Sequence, residues 1–153
     1  MTRRVPDIYL DTSVIFAAVL SPLGGSRKLF QLSEARAVRI VLGPHILKEA
    51  EEVVRRKMPS SLPELARLLS IGRVEVLETA GMEHLDEARQ LVSYRPDARV
   101  LAEAIAIRPD WFITHDKEHF LKDENLKKNL PFQIVTPGDF LQAMKRALSI
   151  KPI

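Results

Sequence analysis

The chain has no cysteine, few aromatic residues and no long apolar run. Without cysteine it can form no disulfide, use no thiolate in catalysis and hold no cysteine-ligated zinc, which agrees with a reducing compartment. Its apolar runs are shorter than the roughly 18 residues that a membrane helix needs, and "MTRRVPD" has no apolar segment behind its arginines. We therefore expect a cytoplasmic protein without a membrane segment.

The size and composition of the chain are those of one globular domain. At 153 residues, with 46% hydrophobic residues and a mean hydropathy of -0.06, it can bury a substantial core. We predict a single domain that spans residues 1–153. The net charge of +3 and the pI near 9.3 would tolerate a polyanionic partner without requiring one.

Short apolar runs alternate with segments of helical periodicity along the sequence. Predicted strands cover 8–10, 38–42, 73–78, 111–114 and 132–135. Predicted helices cover 13–20, 27–35, a segment starting near Pro44, 63–72, 82–92, 97–107 and 136–149. Ser26 is the predicted cap of the helix 27–35, and residues 122–131 are predicted to form a loop. This alternation is typical of parallel β-α-β units. It predicts an α/β fold, a three-layer α/β/α sandwich around a central, mainly parallel sheet of about four to five strands.

The segment "IYLDTSVIFAAVL" places the carboxylate of Asp11 inside an otherwise apolar run. A buried, ionised carboxylate without a partner costs several kcal/mol or takes up a proton. Fold stability alone is a poor reason to keep it there. We therefore expect a compensating group near Asp11.

Three more acids map to the same edge of the predicted sheet. Helix starts and strand ends share one edge in right-handed β-α-β units, and ligands bind there in this class of fold. Asp11 ends the first strand, Glu49 lies in the first turns of the helix after the second, Asp97 starts a later helix, and Asp116 follows "WFIT". These four residues, distant in sequence, should converge on one side of the domain.

Such a cluster needs counter-charge. Two carboxylates about 4 Å apart repel by about 4 kcal/mol at an effective dielectric near 20, so four cannot all stay ionised alone. Hard oxygen ligands favour Mg²⁺ or Mn²⁺, which can activate water and stabilise the leaving oxygen in phosphodiester hydrolysis. The hydroxyls of Thr12, Ser13 and Thr114 could orient these carboxylates or waters.

The sequence resembles PIN domains in three segments, "YLDTSVIFAAVL", "ILKEAEEVV" and "DARVLAEAIAIRPDWFITHDKEHF". It is similar above all to the VapC-type toxins of toxin–antitoxin pairs, over about residues 7 to 140. Position by position, Asp11, Glu49, Asp97 and Asp116 match the acidic quartet of that family, and Thr114 matches its hydroxyl before the last acid. The resemblance implies a magnesium- or manganese-dependent ribonuclease, commonly a homodimer. It also implies inhibition by a small antitoxin whose tail can occupy the acidic pocket.

Simpler roles exist for several of these acids. Asp11 and Asp97 could serve only as helix caps, and Asp116 could be an ordinary turn residue. Glu49 could be a solvated helix charge, and because Glu51 and Glu52 follow it closely, the helix register decides which of the three faces Asp11.

Other polar residues are better explained by structure than by chemistry. Glu103 lies six residues after Asp97, about 240° around the helix, so we expect it not to be a ligand. Asp110 follows Pro109 in a predicted turn, and Asp139 is expected to belong to a helix cap.

The four histidines do not form a convincing metal site. His115 and His119 have the i, i+4 spacing of some zinc pairs, but they straddle a strand end and a turn, and no third nitrogen or sulfur ligand is evident. His115 could contact a substrate phosphate. His45 and His84 look like ordinary helix residues.

Basic residues give a weaker indication of the substrate. Arg95, Arg99 and Lys117 flank two of the acids and could hold RNA phosphates, although surface positions explain them equally well. A phosphatase of the haloacid-dehalogenase type would need an acid where Ser13 stands. The alternative to a nuclease is a catalytically inactive PIN-like module that binds nucleic acid or a protein partner.

Overall fold

The computed structural model describes residues 4–78, 84–92 and 95–149, and for residues 95–97, 117, 148 and 149 it describes the backbone alone. The described strands are β1 (Asp7–Leu10), β2 (Arg39–Leu42), β3 (Glu75–Val76), β4 (Trp111–Ile113) and β5 (Gln133–Val135). The described α-helices are α1 (Thr12–Leu20), α2 (Gly25–Glu34), α3 (Pro44–Lys57), α4 (Leu62–Ile71), α5 (Leu85–Leu91), α6 (Arg95–Ile107), α7 (Glu124–Lys128) and α8 (Pro137–Ser149). A 3₁₀ turn covers Pro59–Ser61, and a π-helical turn covers Lys117–Leu121.

Within the described residues, the strands form one five-stranded sheet in the order β3-β2-β1-β4-β5. Each neighbouring pair is parallel, and β1 is central, with Ile8 opposite Ile40 on one side and Leu10 opposite Ile113 on the other. The predicted α/β fold with a mainly parallel central sheet is confirmed. The central position of β1 places Asp11, the next residue, in the middle of the carboxyl edge.

The crossover helices lie on the faces of the sheet, and the right-handedness of parallel crossovers decides which face each helix covers. This rule puts the helices between β1 and β3 on one face and those between β3 and β5 on the other. On the second face, the ring of Phe112 stacks on Tyr9 at 5.4 Å and on Phe132 at 5.8 Å between ring centroids. Both strands that border the candidate site are thus fixed in a packed core.

Helix α1 is held at both ends by side chains. Asp11 is its N-cap. Near its other end, the buried Arg27 of α2 donates from Nε to the Ala18 carbonyl at 2.7 Å and from a terminal nitrogen to the Val19 carbonyl at 3.3 Å. These bonds satisfy carbonyls that a helix end leaves without intrahelical partners.

Three local predictions were wrong. The cap of α2 is Gly24 rather than Ser26, which lies inside the helix and bonds to another part of the chain. The predicted strand 73–78 is only Glu75–Val76, an exposed edge pair. The predicted loop 122–131 contains α7, whose cap Asp123 accepts from the Leu126 N–H at 2.9 Å. Of the predicted helix 82–92, residues 82 and 83 lie outside the described residues.

Asp110 and Asp139 both take part in hydrogen bonds that hold the fold. Asp110 accepts from the Asp7 N–H at 2.8 Å and from Arg4 at 2.8 Å, which ties the start of β4 to that of β1. The Thr136 hydroxyl accepts from the Asp139 N–H at 3.0 Å at the start of α8. In the described part of the chain, no helix has the length and apolar character needed to cross a membrane.

Candidate active site

Asp11 directly follows β1 and is the N-cap of α1. Its N–H donates to the Ile113 carbonyl at 3.0 Å, which holds it beside the end of β4. Its Oδ1 accepts from the Thr12 N–H at 2.8 Å, while Oδ2 accepts from the hydroxyls of Thr114 at 2.7 Å and Ser13 at 3.2 Å. Asp11 is only 8% exposed, so three donors fix the orientation of a buried carboxylate.

The protonation of Asp11 reflects this position. Burial raises the pKa of the Asp11 carboxyl above its ordinary value of 3.8, and the negative charge of Glu49 adds to the increase. Hydrogen bonds from Thr114, Thr12 and Ser13 lower the pKa without cancelling the effect of burial. A cation between the two carboxylates would favour the ionised form of Asp11.

Thr12 joins Asp11 to Glu49 of α3. Its N–H donates to Asp11, and its hydroxyl donates to Glu49 Oε1 at 2.8 Å. Glu51 and Glu52 are exposed and make no such contact with Thr12 in the described structure. Of the three neighbouring glutamates, Glu49 is the one linked to Asp11.

Thr114 connects Asp11 to Asp116. The Thr114 side chain is fully buried, and its hydroxyl donates to Asp11 while accepting from the Asp116 N–H at 2.9 Å. The Asp116 carboxylate bonds instead to His119, with Oδ1 3.0 Å from the backbone nitrogen and Oδ2 2.9 Å from Nδ1. The Thr114 hydroxyl therefore connects Asp116 to Asp11, but the Asp116 carboxylate itself bonds to His119.

Asp97 lies in the first turn of α6, and its side chain is outside the described part of the structure. Among the side chains described within residues 4–78, 84–92 and 95–149, no group of three or more His, Asp or Glu is arranged to hold one metal ion. In the described structure, Thr12 thus links Asp11 to Glu49, and Thr114 links Asp11 to Asp116. The role of Asp97 stays a prediction.

Two histidines lie at the edge of this site. His45 Nε2 is 3.7 Å from Glu49 Oε2, one helical turn away, although the sequence indicated an ordinary helix residue. Its i, i+4 spacing from Glu49 was the signal that could have identified it. The His115 ring contacts Ser26 Oγ through Nε2 at 3.1 Å, and the His115 backbone N–H donates to Ser13 Oγ at 3.1 Å. Partial burial lowers the pKa of His115, which favours a neutral imidazole.

The basic residues near the acids are only partly described. Arg99 is exposed on α6, while the side chains of Arg95 and Lys117 lie outside the described part of the structure. An exposed arginine on the helix that carries Asp97 in its first turn is accessible to a polyanion in solution.

The residues present fit a hard divalent cation. Asp11 and Glu49 offer carboxylate oxygens, the ligand type that Mg²⁺ and Mn²⁺ prefer. Burial is the main cause of the raised pKa of Asp11, and the charge of Glu49 adds to it, so a cation beside Asp11 would favour its ionised form. Thr12 and Thr114 orient these oxygens through hydrogen bonds, as residues around metal ligands commonly do.

The fold is an α/β domain in which Asp11, Glu49 and Asp116 lie at the carboxyl edge of a parallel sheet. The family model described as "PIN domain" matches residues 7–118. The chain therefore belongs to the PIN domain family. No curated protein matches it in sequence.

Solved structures of toxin–antitoxin proteins share this fold. VapBC2 from Rickettsia felis, bound to a DNA fragment from its promoter, is similar at a TM-score of 0.65 and 17% identity, covering 85% of this chain and 98% of the other. DNA-bound VapBC from Salmonella typhimurium gives a TM-score of 0.62 and 17% identity, covering 87% and 99%. VapC20 from Mycobacterium tuberculosis, a Sarcin-Ricin loop cleaving toxin, gives 0.52 and 15%, covering 72% and 91%. At these identities the likeness shows the fold.

Proposed function

We propose that this protein is a magnesium- or manganese-dependent endoribonuclease, the toxin of a toxin–antitoxin pair, and that one nuclease domain spans residues 1–153. The observation that carries the proposal is the hydrogen-bonded linkage of Asp11 and Glu49 through Thr12 at the carboxyl edge of the sheet. Membership of the PIN family and the fold shared with VapC proteins support it.

In this proposal, Asp11, Glu49, Asp97 and Asp116 hold the metal ions. A bound Mg²⁺ or Mn²⁺ supplies a Lewis acid that polarises the phosphoryl oxygen, lowers the pKa of water and stabilises the leaving oxygen. Thr12 and Thr114 keep the carboxylates in fixed directions through their hydroxyls.

The substrate and partners follow from the family rather than from a contact in this chain. RNA as substrate is supported by the similar fold of VapC20, a Sarcin-Ricin loop cleaving toxin. A small antitoxin is supported by the similar VapBC complexes and by a toxin–antitoxin complex from Klebsiella pneumoniae at a TM-score of 0.59 and 18% identity. We also propose a homodimer acting in the cytoplasm, in line with the family and the lack of cysteine.

The first prediction concerns cleavage by active-site variants. Wild-type protein should cut single-stranded RNA with Mg²⁺ or Mn²⁺ and stop when EDTA is added. Asp11→Asn and Glu49→Gln should each reduce the cleavage rate by roughly 100-fold or more, because each removes a charged metal ligand with little change in volume. Gel analysis of labelled RNA, with a DNA strand of the same sequence beside it, measures both activity and substrate class.

Matched controls come from the same helix. Glu51→Gln and Glu52→Gln remove the same charge from exposed positions and should keep full activity. Loss of activity in either control, with activity kept in Glu49→Gln, would contradict the role of Glu49. Wild-type protein that cuts no RNA under these conditions would favour the inactive binding module, and cleavage that persists in EDTA would exclude the metal-dependent reaction.

A further inference from the structure

Glu103 of α6 has its carboxylate buried at the start of α3. The residue is 4% exposed. Its Oε1 accepts from the Tyr9 hydroxyl at 2.8 Å and from the Ile46 N–H at 3.0 Å, and its Oε2 accepts from the His45 N–H at 2.7 Å. Both oxygens are thus engaged by donors from two other segments of the chain.

These contacts replace a missing helix cap. Helix α3 begins with Pro44 after Gly43, which has no side chain to accept from the first free N–H groups. A capping side chain normally accepts from the second or third residue of the helix, the positions that His45 and Ile46 occupy here. Glu103 supplies that acceptor from a helix 58 residues further along the chain, and its negative charge suits the positive end of α3.

The structure is shaped to admit this carboxylate. A Cβ built on Gly43 would overlap the carboxylate group of Glu103. Gly43 has φ -114° and ψ 171°, an extended conformation open to any residue, so the backbone conformation does not require glycine. Close approach of the Glu103 carboxylate is the reason that a side chain does not fit there.

We propose that Glu103 is a positioning residue that sets α3, and with it Glu49, against Asp11. It joins the three segments that carry predicted metal ligands. Tyr9 lies on the central strand two residues before Asp11, His45 precedes Glu49 by one helical turn, and Asp97 lies in the first turn of the helix that carries Glu103.

Glu103 acts through α3 and not as a metal ligand, because its two carboxylate oxygens already accept three hydrogen bonds. A displacement of the helix start by about 1 Å would move Glu49 relative to Thr12 and Asp11, a shift large enough to disturb a catalytic arrangement. This inference rests on the proposed function, since it concerns where Glu49 meets the metal.

The test combines hydrogen exchange with Mn²⁺ affinity in the full chain. Glu103→Gln puts an NH₂ donor where an oxygen now accepts, so the His45 and Ile46 amides should exchange faster. Mn²⁺ affinity, measured by calorimetry, should fall by roughly 10- to 100-fold, as when groups that support metal ligands are removed. Tyr9→Phe removes one donor and leaves the helix contacts, so it should shift affinity in the same direction by less. It keeps the inference testable if Glu103→Gln does not fold.

Two comparisons separate positioning from a general loss of stability. Ser33→Ala removes a buried hydrogen bond from α2 to the Gly72 carbonyl at the end of α4. Because this bond does not involve α3, its loss should leave Mn²⁺ affinity unchanged. In a Glu49→Gln background, Glu103→Gln should lower affinity little further, because the ligand that it positions is already gone.

The outcomes distinguish the inference from the function beneath it. If the wild type binds Mn²⁺ and Glu49→Gln weakens binding, but Glu103→Gln and Tyr9→Phe bind like the wild type, the positioning role is wrong and the metal site stands. A fully additive effect of Glu103→Gln in the Glu49→Gln background would also overturn it. If the wild type binds no Mn²⁺, the proposed function itself fails.

Discussion

Asp11 is a carboxylate whose ionisation is opposed by its own surroundings. Burial is the main cause of its raised pKa, and the charge of Glu49 adds to it. In the protein without metal, the ionised form is therefore less favourable in the folded state than in the unfolded one. Its retention inside an apolar segment is understandable if a cation offsets this cost on binding.

This position predicts how Asp11 affects stability as pH changes. Because the folded-state pKa is raised, the stability that Asp11 contributes is fully present below its ordinary pKa of 3.8 and is lost as pH rises through the raised pKa. The free energy of unfolding of wild type minus that of Asp11→Asn should thus fall as the pH rises above the ordinary pKa of 3.8. Urea unfolding of both proteins in EDTA measures this difference. A difference that stays flat or grows with pH would show that Asp11 is not destabilised by ionisation.

Individual residues differed in how well the sequence revealed them. Asp11 was evident because a charge interrupts an apolar segment, and Thr114 because a hydroxyl follows the apolar strand β4. The sequence predicted that Glu103 is not a metal ligand, but it did not indicate the contacts to Tyr9 and His45, which lie 94 and 58 residues away in sequence. Spacing along one helix cannot indicate partners that only the folded chain brings together.

At the level of elements, the start of α3 depends on the absence of a side chain at residue 43. Gly43→Ala should lower the free energy of unfolding by about 1–3 kcal/mol, the usual cost of forcing extra atoms into a packed site. The added methyl group must displace the Glu103 carboxylate from the helix start. Chemical denaturation measures the loss.

A Glu103→Ala background tests whether the Glu103 carboxylate causes the loss of stability in Gly43→Ala. In Glu103→Ala the obstructing carboxylate is absent, so adding Gly43→Ala should cost far less than it does in the wild type. An equal cost in both backgrounds would mean that the glycine is needed for a reason other than Glu103.

The longer elements were predictable because their apolar residues repeat with a clear period. Helices α3 and α6 and the central strands β1 and β4 follow such patterns and bury one or both faces. The short α7 and the π-helical turn at Lys117–Leu121 carry too few residues to show a period. Strand β3 is brief and exposed, so its predicted extent was too long.

At the scale of the molecule, topology brings Asp11, Glu49 and Asp116 to one edge of the sheet. The order β3-β2-β1-β4-β5 sets β1 between β2 and β4, so residues after β1 and β4 meet at one edge, where α3 also begins. The alternation of strands and helices predicted this edge. The sequence also predicted that the hydroxyls of Thr12 and Thr114 orient carboxylates, but which acids each hydroxyl joins depends on the packed positions of three segments.

The most direct test of the central claim is a crystal structure with Mn²⁺ and its anomalous difference map. The account predicts a manganese peak with oxygens of Asp11 and Glu49 within about 2.5 Å, and with Asp97 and Asp116 beside it as further ligands. Asp116 would then exchange its bond to His119 for the metal. A map without manganese at Asp11, or with Asp97 and Asp116 on another side of the domain, would contradict the account.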